Sequence, residues 1–356
     1  MKLLNEKSKT GSSSFNVSLL DIPTNIPDVL QRTGLNLPEL PEVEVVRHYT
    51  TLSKSNFGVD NGPYPLGSCT MKYNPKINEI AAKIPEFNIH PLSQHNKGAL
   101  EIIYQLQQYL CDITGMHAFS TQPAAGAHGE ATGIMIMRAW FEKRGEKRTK
   151  VIIPDSAHGT NPASVSLSGF EPLQVKSSQS GGIDLDDLRQ KMCKDVAGIM
   201  ITNPNTLGIF DENILKITET VHNHGGLCYL DGAIMNAMLG IVKPANFGID
   251  IMHLNLHKTF STPHGGGGPG SGPVGVTEEL EPFLPNPRII NKKDKLEFGQ
   301  SKESIGRIHS FYGNFSILLR AYSYIRAIGS SGLRSVAENA VLNANYMKEK
   351  LKVHYH

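Results

Sequence analysis

The sequence predicts an α/β fold in which a mostly parallel β-sheet is flanked by helices on both faces. Strand-like and helix-like patterns alternate from about residue 150 onward, which is typical of parallel sheets with crossover helices. Several apolar runs also end in polar residues, and ligands bind at the carboxyl ends of strands in such sheets. We therefore expect a ligand site at one edge of the sheet.

The first 65 residues are rich in Ser, Asn, Pro and Gly. Their prolines break long elements, and only a short helix is expected, over 48–52. We interpret 1–65 as an arm that packs on a neighbour. A large α/β domain is expected over 66–305. The remainder, 306–356, is expected to begin a small C-terminal domain that is incomplete in a chain ending here.

Apolar periodicity and glycine breaks define the elements of the large domain. A helix is predicted from Lys97, with an apolar face from Leu100 to Ile113, and Gly115 ends it. Further helices are expected over 130–144, 184–192, 211–224, 311–328 and 333–351. Strands are expected over 151–154, 196–202, 227–230, 251–256 and 274–276.

Composition and charge exclude several classes of protein. The chain has 356 residues and a net charge of +2, from 35 basic and 33 acidic residues, so charge gives no reason to expect a nucleic-acid partner. No apolar run reaches the roughly 20 residues of a membrane span. The first 15 residues lack the apolar core of a secretory signal, and the four cysteines show no CxxC spacing. A cytoplasmic protein with reduced thiols is predicted.

Asp231 and Lys258 each lie near the end of an apolar, strand-like run. A lysine amine can form a Schiff base with the aldehyde of pyridoxal phosphate, and a carboxylate can keep the pyridine nitrogen of that cofactor protonated. Taken separately, Asp before Gly is a common turn former, and lysines are usually solvated. Together the two residues predict a pyridoxal phosphate site.

Small residues precede the predicted helix 130–144 at Ala125, Gly126 and Ala127. Such residues let the backbone approach an anion, and the amides at a helix N-terminus point toward it. We predict that these three residues bind the phosphate. The alternative is an ordinary glycine-containing loop, because short glycine motifs are often not binding sites.

Two further segments are candidates for the same site. His158 follows the predicted strand 151–154; it can lie flat against the pyridine ring, or it can be a solvated histidine in a capped turn. The glycine-rich stretch 265–272 lacks the lysine of a P-loop. It is predicted to form a flexible mouth for a bulky substrate, and a linker to the strand 274–276 is the alternative.

A metal site is not expected. His222, His224 and Cys228 carry ligand-type atoms, but they form no four-ligand set with the spacing of a zinc site, and Cys228 is expected to face away from the histidines. Cys69 is a candidate reactive thiol. Because no nearby charge pattern indicates an activated thiolate, a plain buried cysteine is the favoured interpretation.

Five motifs occur in one order along the chain, at 65–75, 122–130, 158–164, 229–233 and 257–260. Together they resemble the P-protein family of the glycine cleavage system. Within that family they resemble the pyridoxal phosphate-bearing second subunit of the two-subunit form. The resemblance runs from about residue 40 to the end of the chain.

The resemblance implies a fold-type I pyridoxal phosphate enzyme and a role for each matching residue. Lys258 would bind the cofactor aldehyde, Asp231 would pair with the pyridine nitrogen, and His158 would stack on the ring. The remaining implied contacts are Ala125, Gly126, Ala127 and His257 near the phosphate, and Cys69 and Thr70 in the substrate pocket.

The resemblance also implies an activity and partners. The activity is that of an aminomethyl-transferring glycine dehydrogenase: glycine binds through the cofactor and loses carbon dioxide, and its aminomethyl group passes to the lipoyl arm of the H-protein. The implied assembly is an α2β2 heterotetramer with subunit 1 of the P-protein.

Two other interpretations stay open at this point. A cysteine desulfurase shares the His-Lys pair and the strand-end Asp, although its thiol normally follows the lysine, unlike Cys69. A cofactor-free structural partner subunit is the second alternative. The joint presence of Lys258, Asp231 and His158 argues against it.

Overall fold

The structure is a computed structural model that describes residues 1–14, 25–32, 34–58, 60–63, 65–66, 69–70, 73–88, 97–263 and 269–355. The chain divides into two compact units, 1–64 and 65–356. Within the described ranges, no helix combines the length and the apolar composition that a membrane crossing requires.

In the part of the first unit that the structure describes there are two helices, α1 (Leu4–Lys7) and α2 (Glu42–Lys54), and a 3-10 turn at Asp28–Leu30. Helix α2 is longer than the predicted 48–52. Pro41 occupies its N-cap, and acidic residues in its first turn complement the helix dipole, which favours the earlier start. The backbone N–H of Glu39 donates to Ser8 Oγ (2.8 Å), which ties the segment before α2 to the residue that follows α1.

The second unit contains eleven strands and eight helices within the described residues. The strands are β1 (Pro65–Leu66), β2 (Cys69–Thr70), β3 (Ala118–Ser120), β4 (Lys150–Pro154), β5 (Glu171–Val175), β6 (Val196–Thr202), β7 (Leu227–Gly232), β8 (Ile251–Leu254), β9 (Val274–Val276), β10 (Arg288–Lys292) and β11 (Lys295–Gly299). The helices are α3 (Lys76–Ala82), α4 (Lys97–Thr114), α5 (Gly126–Lys143), α6 (Thr160–Leu167), α7 (Leu185–Lys191), α8 (Ile214–Asn223), α9 (Leu256–Thr259) and α10 (Phe315–Leu351).

Seven of the strands form one sheet in the order β3–β9–β8–β7–β6–β4–β5. Strands β4 to β8 pair in parallel, whereas β9 is antiparallel to both of its neighbours. The predicted mostly parallel sheet is therefore confirmed. Strands β1 and β2 pair with each other, and β10 and β11 form a hairpin.

Alternating side chains of the central strands enter two cores, one on each face of the sheet. Leu230 and Met252 belong to the core that α4, α8 and α10 cover, whereas Tyr229 and Ile251 belong to the core that α5 and α6 cover. Apolar side chains that are buried on both faces explain why these strands read as continuous apolar runs.

Several boundaries differ from the sequence prediction. Helix α5 begins four residues before the predicted start. Residues 256–259 form the one-turn helix α9, so the predicted strand 251–256 ends early, at Leu254. The range of α10 contains two helical segments that meet at Gly329, whose φ of 64° is non-helical. The two predicted C-terminal helices are therefore confirmed, although the first begins at Phe315 and not at 311. Strands β3, β5, β10 and β11 were not predicted, because they are short or largely exposed.

Candidate active site

The carboxyl ends of β6, β7 and β8 bring three polar residues side by side. Asp231 of β7 lies opposite Thr202 of β6 and opposite His253 of β8 in the parallel registers. Asp231 and His253 are both buried. The strand pairing therefore builds a buried polar row at the edge of the sheet where ligands bind in this architecture.

Asp231 is held in one orientation by neighbouring groups. Its Oδ2 accepts a hydrogen bond from Asn161 Nδ2 (3.0 Å), and its Oδ1 accepts one from the backbone N–H of Ala233 (3.0 Å). The Nε2 atom of His253 lies 3.4 Å from Oδ1 without hydrogen-bond geometry. A carboxylate fixed in this way can present one oxygen to a protonated ring nitrogen.

The sequence suggested that Lys258 lies at the end of a strand. In the structure it lies in the one-turn helix α9 instead. The carbonyl of Asn255 accepts hydrogen bonds from the backbone N–H groups of Lys258 (3.0 Å) and Thr259 (3.1 Å), which close the single turn. Lys258 is half-buried, whereas its neighbours His257 and Thr259 are buried. The turn places the lysine four residues beyond the last residue of β8.

The predicted phosphate turn is the start of α5. Ala125 is the N-cap, and Gly126 and Ala127 belong to the first turn, whose amides have no acceptor inside the helix. A Cβ on Gly126 would lie only 2.3 Å from Asn255 Oδ1. Glycine is therefore required where the turn meets the segment that carries Lys258.

His128, in the first turns of α5, also shapes this end of the helix. Its Nδ1 accepts a hydrogen bond from the backbone N–H of Ala124 (3.2 Å). Burial lowers the pKa of His128, and nearby His309 lowers it further. A neutral imidazole is consistent with its role as an acceptor for the turn.

His158 lies between β4 and α6 and is half-buried. Its Nδ1 is 2.8 Å from Thr160 Oγ1, and the backbone N–H of Thr160 is 3.3 Å from the same nitrogen. The side chain is thus fixed by the first residue of α6, which also carries Asn161, the partner of Asp231.

Some predicted residues lie outside the part of the chain that the structure describes. Cys69 and Thr70 belong to β2 by their backbone, but their side chains are outside the described set. Within the predicted mouth 265–272, residues 265–268 are also outside it. Gly272 is described, and its N–H donates to the carbonyl of Pro123 (2.9 Å), beside the phosphate turn.

The structure also reveals polar residues that the sequence analysis did not select. They surround Asp231 or its neighbours and are Glu130, Asn161, Ser164, Tyr229 and His253. The sequence could have indicated His253, because a histidine inside the apolar run 251–254 is expected to be buried and to need a polar partner. Glu130 carried a similar signal, because it begins an otherwise apolar helical stretch.

Tyr229 and His253 form a buried pair behind Asp231. Tyr229 Oη is 2.8 Å from His253 Nδ1. Burial raises the pKa of Tyr229 well above its usual value, and the nearby Glu130 and Asp231 carboxylates raise it further. The phenol therefore stays protonated and supports the histidine at the rear of the site.

The geometry fits the predicted cofactor on two counts. The backbone amides in the first turn of α5 have no acceptor inside the helix, and Ala125, the N-cap, supplies no side-chain cap, so they are available for a phosphate. In addition, Thr202 Oγ1, Asn203 Nδ2, Asn255 Oδ1 and Thr259 Oγ1 are buried and have no hydrogen-bond partner among the described residues. Unsatisfied buried polar groups are costly, so a polar ligand at this edge would satisfy groups that the chain leaves open.

A second histidine cluster lies at the opposite ends of β7 and β8. Ligand-type atoms of His222, Cys228 and Asp250 lie within 4.8 Å of one another. The expectation that Cys228 faces away from the histidines is wrong for His222, because α8 packs against β7 and brings the two together. His224 does not join this group; its Nδ1 bonds to the carbonyl of Thr220 (2.8 Å).

Comparison with known proteins gives strong and consistent matches. A family model described as "Glycine cleavage system P-protein" matches residues 92–299. The chain is 54% identical over 364 residues to a "Probable glycine dehydrogenase (decarboxylating) subunit 2" of Staphylococcus aureus strain MRSA252, with 99% of this chain and 74% of that protein covered.

Solved structures show the same fold at low sequence identity. A crystal structure of glycine decarboxylase (P-protein) of the glycine cleavage system matches with a TM-score of 0.72 at 21% identity, covering 92% of this chain and 76% of that one. A cysteine desulfurase from Thermococcus onnurineus matches with a TM-score of 0.56 at 17% identity, covering 79% and 72%. The predicted fold-type I architecture is confirmed.

Proposed function

Because the chain belongs to the glycine cleavage system P-protein family, we propose that it is the pyridoxal phosphate-bearing subunit that decarboxylates glycine. In this proposal the aminomethyl group that remains passes to the lipoyl arm of the H-protein. The observation that carries the proposal is the joint arrangement of Asp231, Lys258 and the Gly126 turn around the same strand ends, in a chain 54% identical to a probable subunit 2.

The partners follow from the same relationship. A chain that resembles a subunit 2 needs a subunit 1, and an α2β2 heterotetramer in the cytoplasm is the proposed assembly. Glycine and the lipoylated H-protein are the proposed substrates.

Four groups would hold the cofactor. The α5 amides at Ala125, Gly126 and Ala127 would bind the phosphate, with His257 nearby. Lys258 would bind the aldehyde, His158 would pack on the ring, and Asp231 would bind the pyridine nitrogen. When bound, pyridoxal phosphate supplies a protonated ring that can take up the electron pair left by the departing carboxylate.

The chain's own residues carry distinct tasks in this proposal. Asp231 would hold a proton at the ring nitrogen, and the hydrogen bonds that its carboxylate accepts from Asn161 and from the backbone of Ala233 fix its orientation. The Lys258 amine would hold the cofactor aldehyde before glycine binds, and its nitrogen could accept or return a proton when it is free. Cys69 and Thr70 are proposed to line the glycine pocket, and the Gly-rich segment 265–272 is proposed to admit the lipoyl arm.

The test is a visible absorption spectrum of the chain purified with its subunit 1 partner, before and after addition of glycine. A cofactor band that shifts with glycine, together with release of labelled carbon dioxide from carboxyl-labelled glycine, is expected. Lys258→Ala should lose the resting band, whereas Lys216→Ala, an exposed lysine on α8, should keep it.

Other outcomes would overturn the proposal in different directions. A band that ignores glycine and responds to cysteine, with release of sulfide, would assign a cysteine desulfurase. A wild-type chain that shows no band even with added pyridoxal phosphate would be a structural partner subunit.

A further inference from the structure

Glu130 is a buried carboxylate with no part in the cofactor contacts proposed above. It is 5% exposed and lies in the second turn of α5. Its Oε1 accepts a hydrogen bond from Thr160 Oγ1 (2.9 Å), and its Oε2 accepts bonds from Asn161 Nδ2 (3.2 Å) and Ser164 Oγ (3.1 Å). All three donors belong to α6, so one carboxylate fixes the start of that helix.

Two of these donors lead directly to the candidate cofactor contacts. Thr160 Oγ1 is also 2.8 Å from His158 Nδ1, and Asn161 Nδ2 also donates to Asp231 Oδ2 (3.0 Å). Glu130 therefore connects to His158 through a hydroxyl and to Asp231 through an amide.

The hydroxyl of Thr160 can donate only one hydrogen bond, because it carries one hydrogen. As a carboxylate, Glu130 can only accept, so the hydroxyl donates to Glu130 and cannot also donate to His158. The short contact between Thr160 Oγ1 and His158 Nδ1 then requires the imidazole to donate from Nδ1. The second ring nitrogen, Nε2, is left without a hydrogen.

A competing contact makes the charge of Glu130 decisive. The backbone N–H of Thr160 lies 3.3 Å from His158 Nδ1 and favours the opposite tautomer, in which Nδ1 accepts. This contact is longer than the one to the hydroxyl, and hydrogen bonds weaken as they lengthen. The Thr160 hydroxyl donates to a group other than His158 only if that group is an acceptor, and the Glu130 carboxylate is this acceptor.

We propose that Glu130, acting through Thr160, is a positioning residue that fixes His158 in the Nδ1–H tautomer and leaves Nε2 able to accept a proton beside the reacting atoms. The catalytic consequence rests on the proposed function, in which His158 packs on the cofactor ring. The tautomer itself is a property of the chain without cofactor.

The decisive variant is Glu130→Gln, which is nearly isosteric. The Gln Oε1 can still accept from Asn161 and Ser164, while its amide donates to Thr160 Oγ1. The Thr160 hydroxyl then donates to His158 Nδ1, and the tautomer is reversed. Long-range 1H–15N spectra of the histidine-labelled, cofactor-free chain report the tautomer, with the His158 signals assigned from their loss in His158→Gln.

The expected result is an Nδ1–H pattern for His158 in the wild type and an Nε2–H pattern in Glu130→Gln. The same tautomer in both proteins, or an Nε2–H wild type, would overturn the proposal. Ser164→Ala is the matched control, because it removes a bond to Glu130 without touching Thr160, and it should keep the wild-type pattern.

A second pair of variants decides the question if Glu130→Gln does not fold. Thr160→Ser keeps the hydroxyl and should keep the Nδ1–H tautomer. Thr160→Val leaves the backbone N–H as the remaining partner of Nδ1 and should reverse the tautomer. Equal tautomers in these two variants would count against the proposal as firmly as the first result.

The loaded enzyme gives an independent reading. Glu130→Gln is expected to lower kcat for glycine by roughly 100-fold, the lower end of what a positioned proton acceptor contributes, with KM changed less than about twofold. A fall in kcat with an unchanged tautomer would assign Glu130 a packing role. A wild type that binds no cofactor would overturn the proposed function and leave the tautomer result standing.

Discussion

The two ends of strands β7 and β8 carry similar residues in different surroundings. At the carboxyl end, Asp231 and His253 lie with Glu130, and ligand-type atoms of all three lie within 4.8 Å of one another. At the amino end, ligand-type atoms of Cys228, Asp250 and His222 also lie within 4.8 Å of one another. A histidine and a carboxylate therefore meet at both ends, from the two strands themselves at the carboxyl end and with the histidine supplied by α8 at the amino end.

The carboxyl-end cluster is wholly buried, whereas the amino-end cluster opens to solvent through His222. Asp250 Oδ2 accepts bonds from His222 Nε2 (2.8 Å) and from the Cys228 backbone N–H (2.7 Å), which ties α8 to the two strands. The buried cluster lies instead among unsatisfied polar atoms such as Thr202 Oγ1 and Asn255 Oδ1. The same residue types therefore suit a structural tie at one end and a ligand site at the other.

The largest difference is expected from neutralising one carboxylate at each end. Asp231→Asn keeps the shape of the side chain but removes the charge that would hold a proton on the ring nitrogen, so glycine decarboxylation should fall by about 100-fold or more. Asp250→Asn should leave the rate near that of the wild type. Release of carbon dioxide from labelled glycine measures both, and equal losses in the two variants would show that neither end is special.

A smaller difference is expected when the buried cluster loses a supporting hydroxyl. Tyr229→Phe removes the partner of His253 Nδ1, and an unsatisfied buried group costs about 1–3 kcal/mol in the free energy of unfolding. The control is Tyr346→Phe, at an exposed tyrosine of α10. Urea unfolding of the two variants should separate them; indistinguishable midpoints would mean that the Tyr229–His253 bond stabilises nothing.

The amino end should show a weaker, pH-dependent effect. The hydrogen bond to Asp250 raises the pKa of His222 above 6.5, so the folded state binds the proton more tightly than the unfolded state does. The protonated His222 therefore stabilises the fold fully at pH values below its pKa in the unfolded chain. This stabilisation is lost as the pH rises through the pKa of His222 in the folded protein. With the His222 side chain 39% exposed, it should amount to at most about 0.5 kcal/mol.

The measurement is urea unfolding of the wild type and His222→Gln at about pH 5.5 and about pH 8.5, on either side of the histidine range. At the lower pH the wild type should have the larger free energy of unfolding, and at the higher pH the difference between the two proteins should disappear. His224→Gln is the control, because His224 bonds to a backbone carbonyl and to no carboxylate. A gap that grows with pH would reverse the assigned sign.

Metal removal should have the smallest effect of all. A zinc site at the amino end would need the Cys228 thiolate, but burial raises the pKa of this thiol well above its usual value, and nearby Asp250 raises it further. Asp250 Oδ2 is also already used by two donors. Dialysis against a chelator should leave the unfolding midpoint unchanged, and a lower midpoint that zinc restores would identify a metal site.

The sequence predicted most strands of the sheet, but it did not identify the buried polar residues behind the cofactor contacts. Strand β6 was predicted with its observed bounds, because a largely apolar run of seven residues that ends before Asn-Pro-Asn leaves few alternatives. Lys258, Asp231 and His158 were selected because their side chains suit the predicted cofactor and they follow apolar runs. The edge strand β5 was missed, since its mostly exposed residues carry no apolar pattern.

What the sequence determined by itself was the α/β class, the family and the residue types at the ends of the strands, because these depend on local periodicity and short motifs. Only the tertiary structure decided which polar residues meet. Glu130, Asn161 and Asp231 are separated by 31 and 70 residues, and it is the parallel register of β6, β7 and β8 with α5 and α6 packed above that brings them into one hydrogen-bonded set. Likewise, the sequence did not predict that Lys258 lies in the helical turn α9. That turn depends on backbone hydrogen bonds to the carbonyl of Asn255, which the pattern of side chains does not indicate.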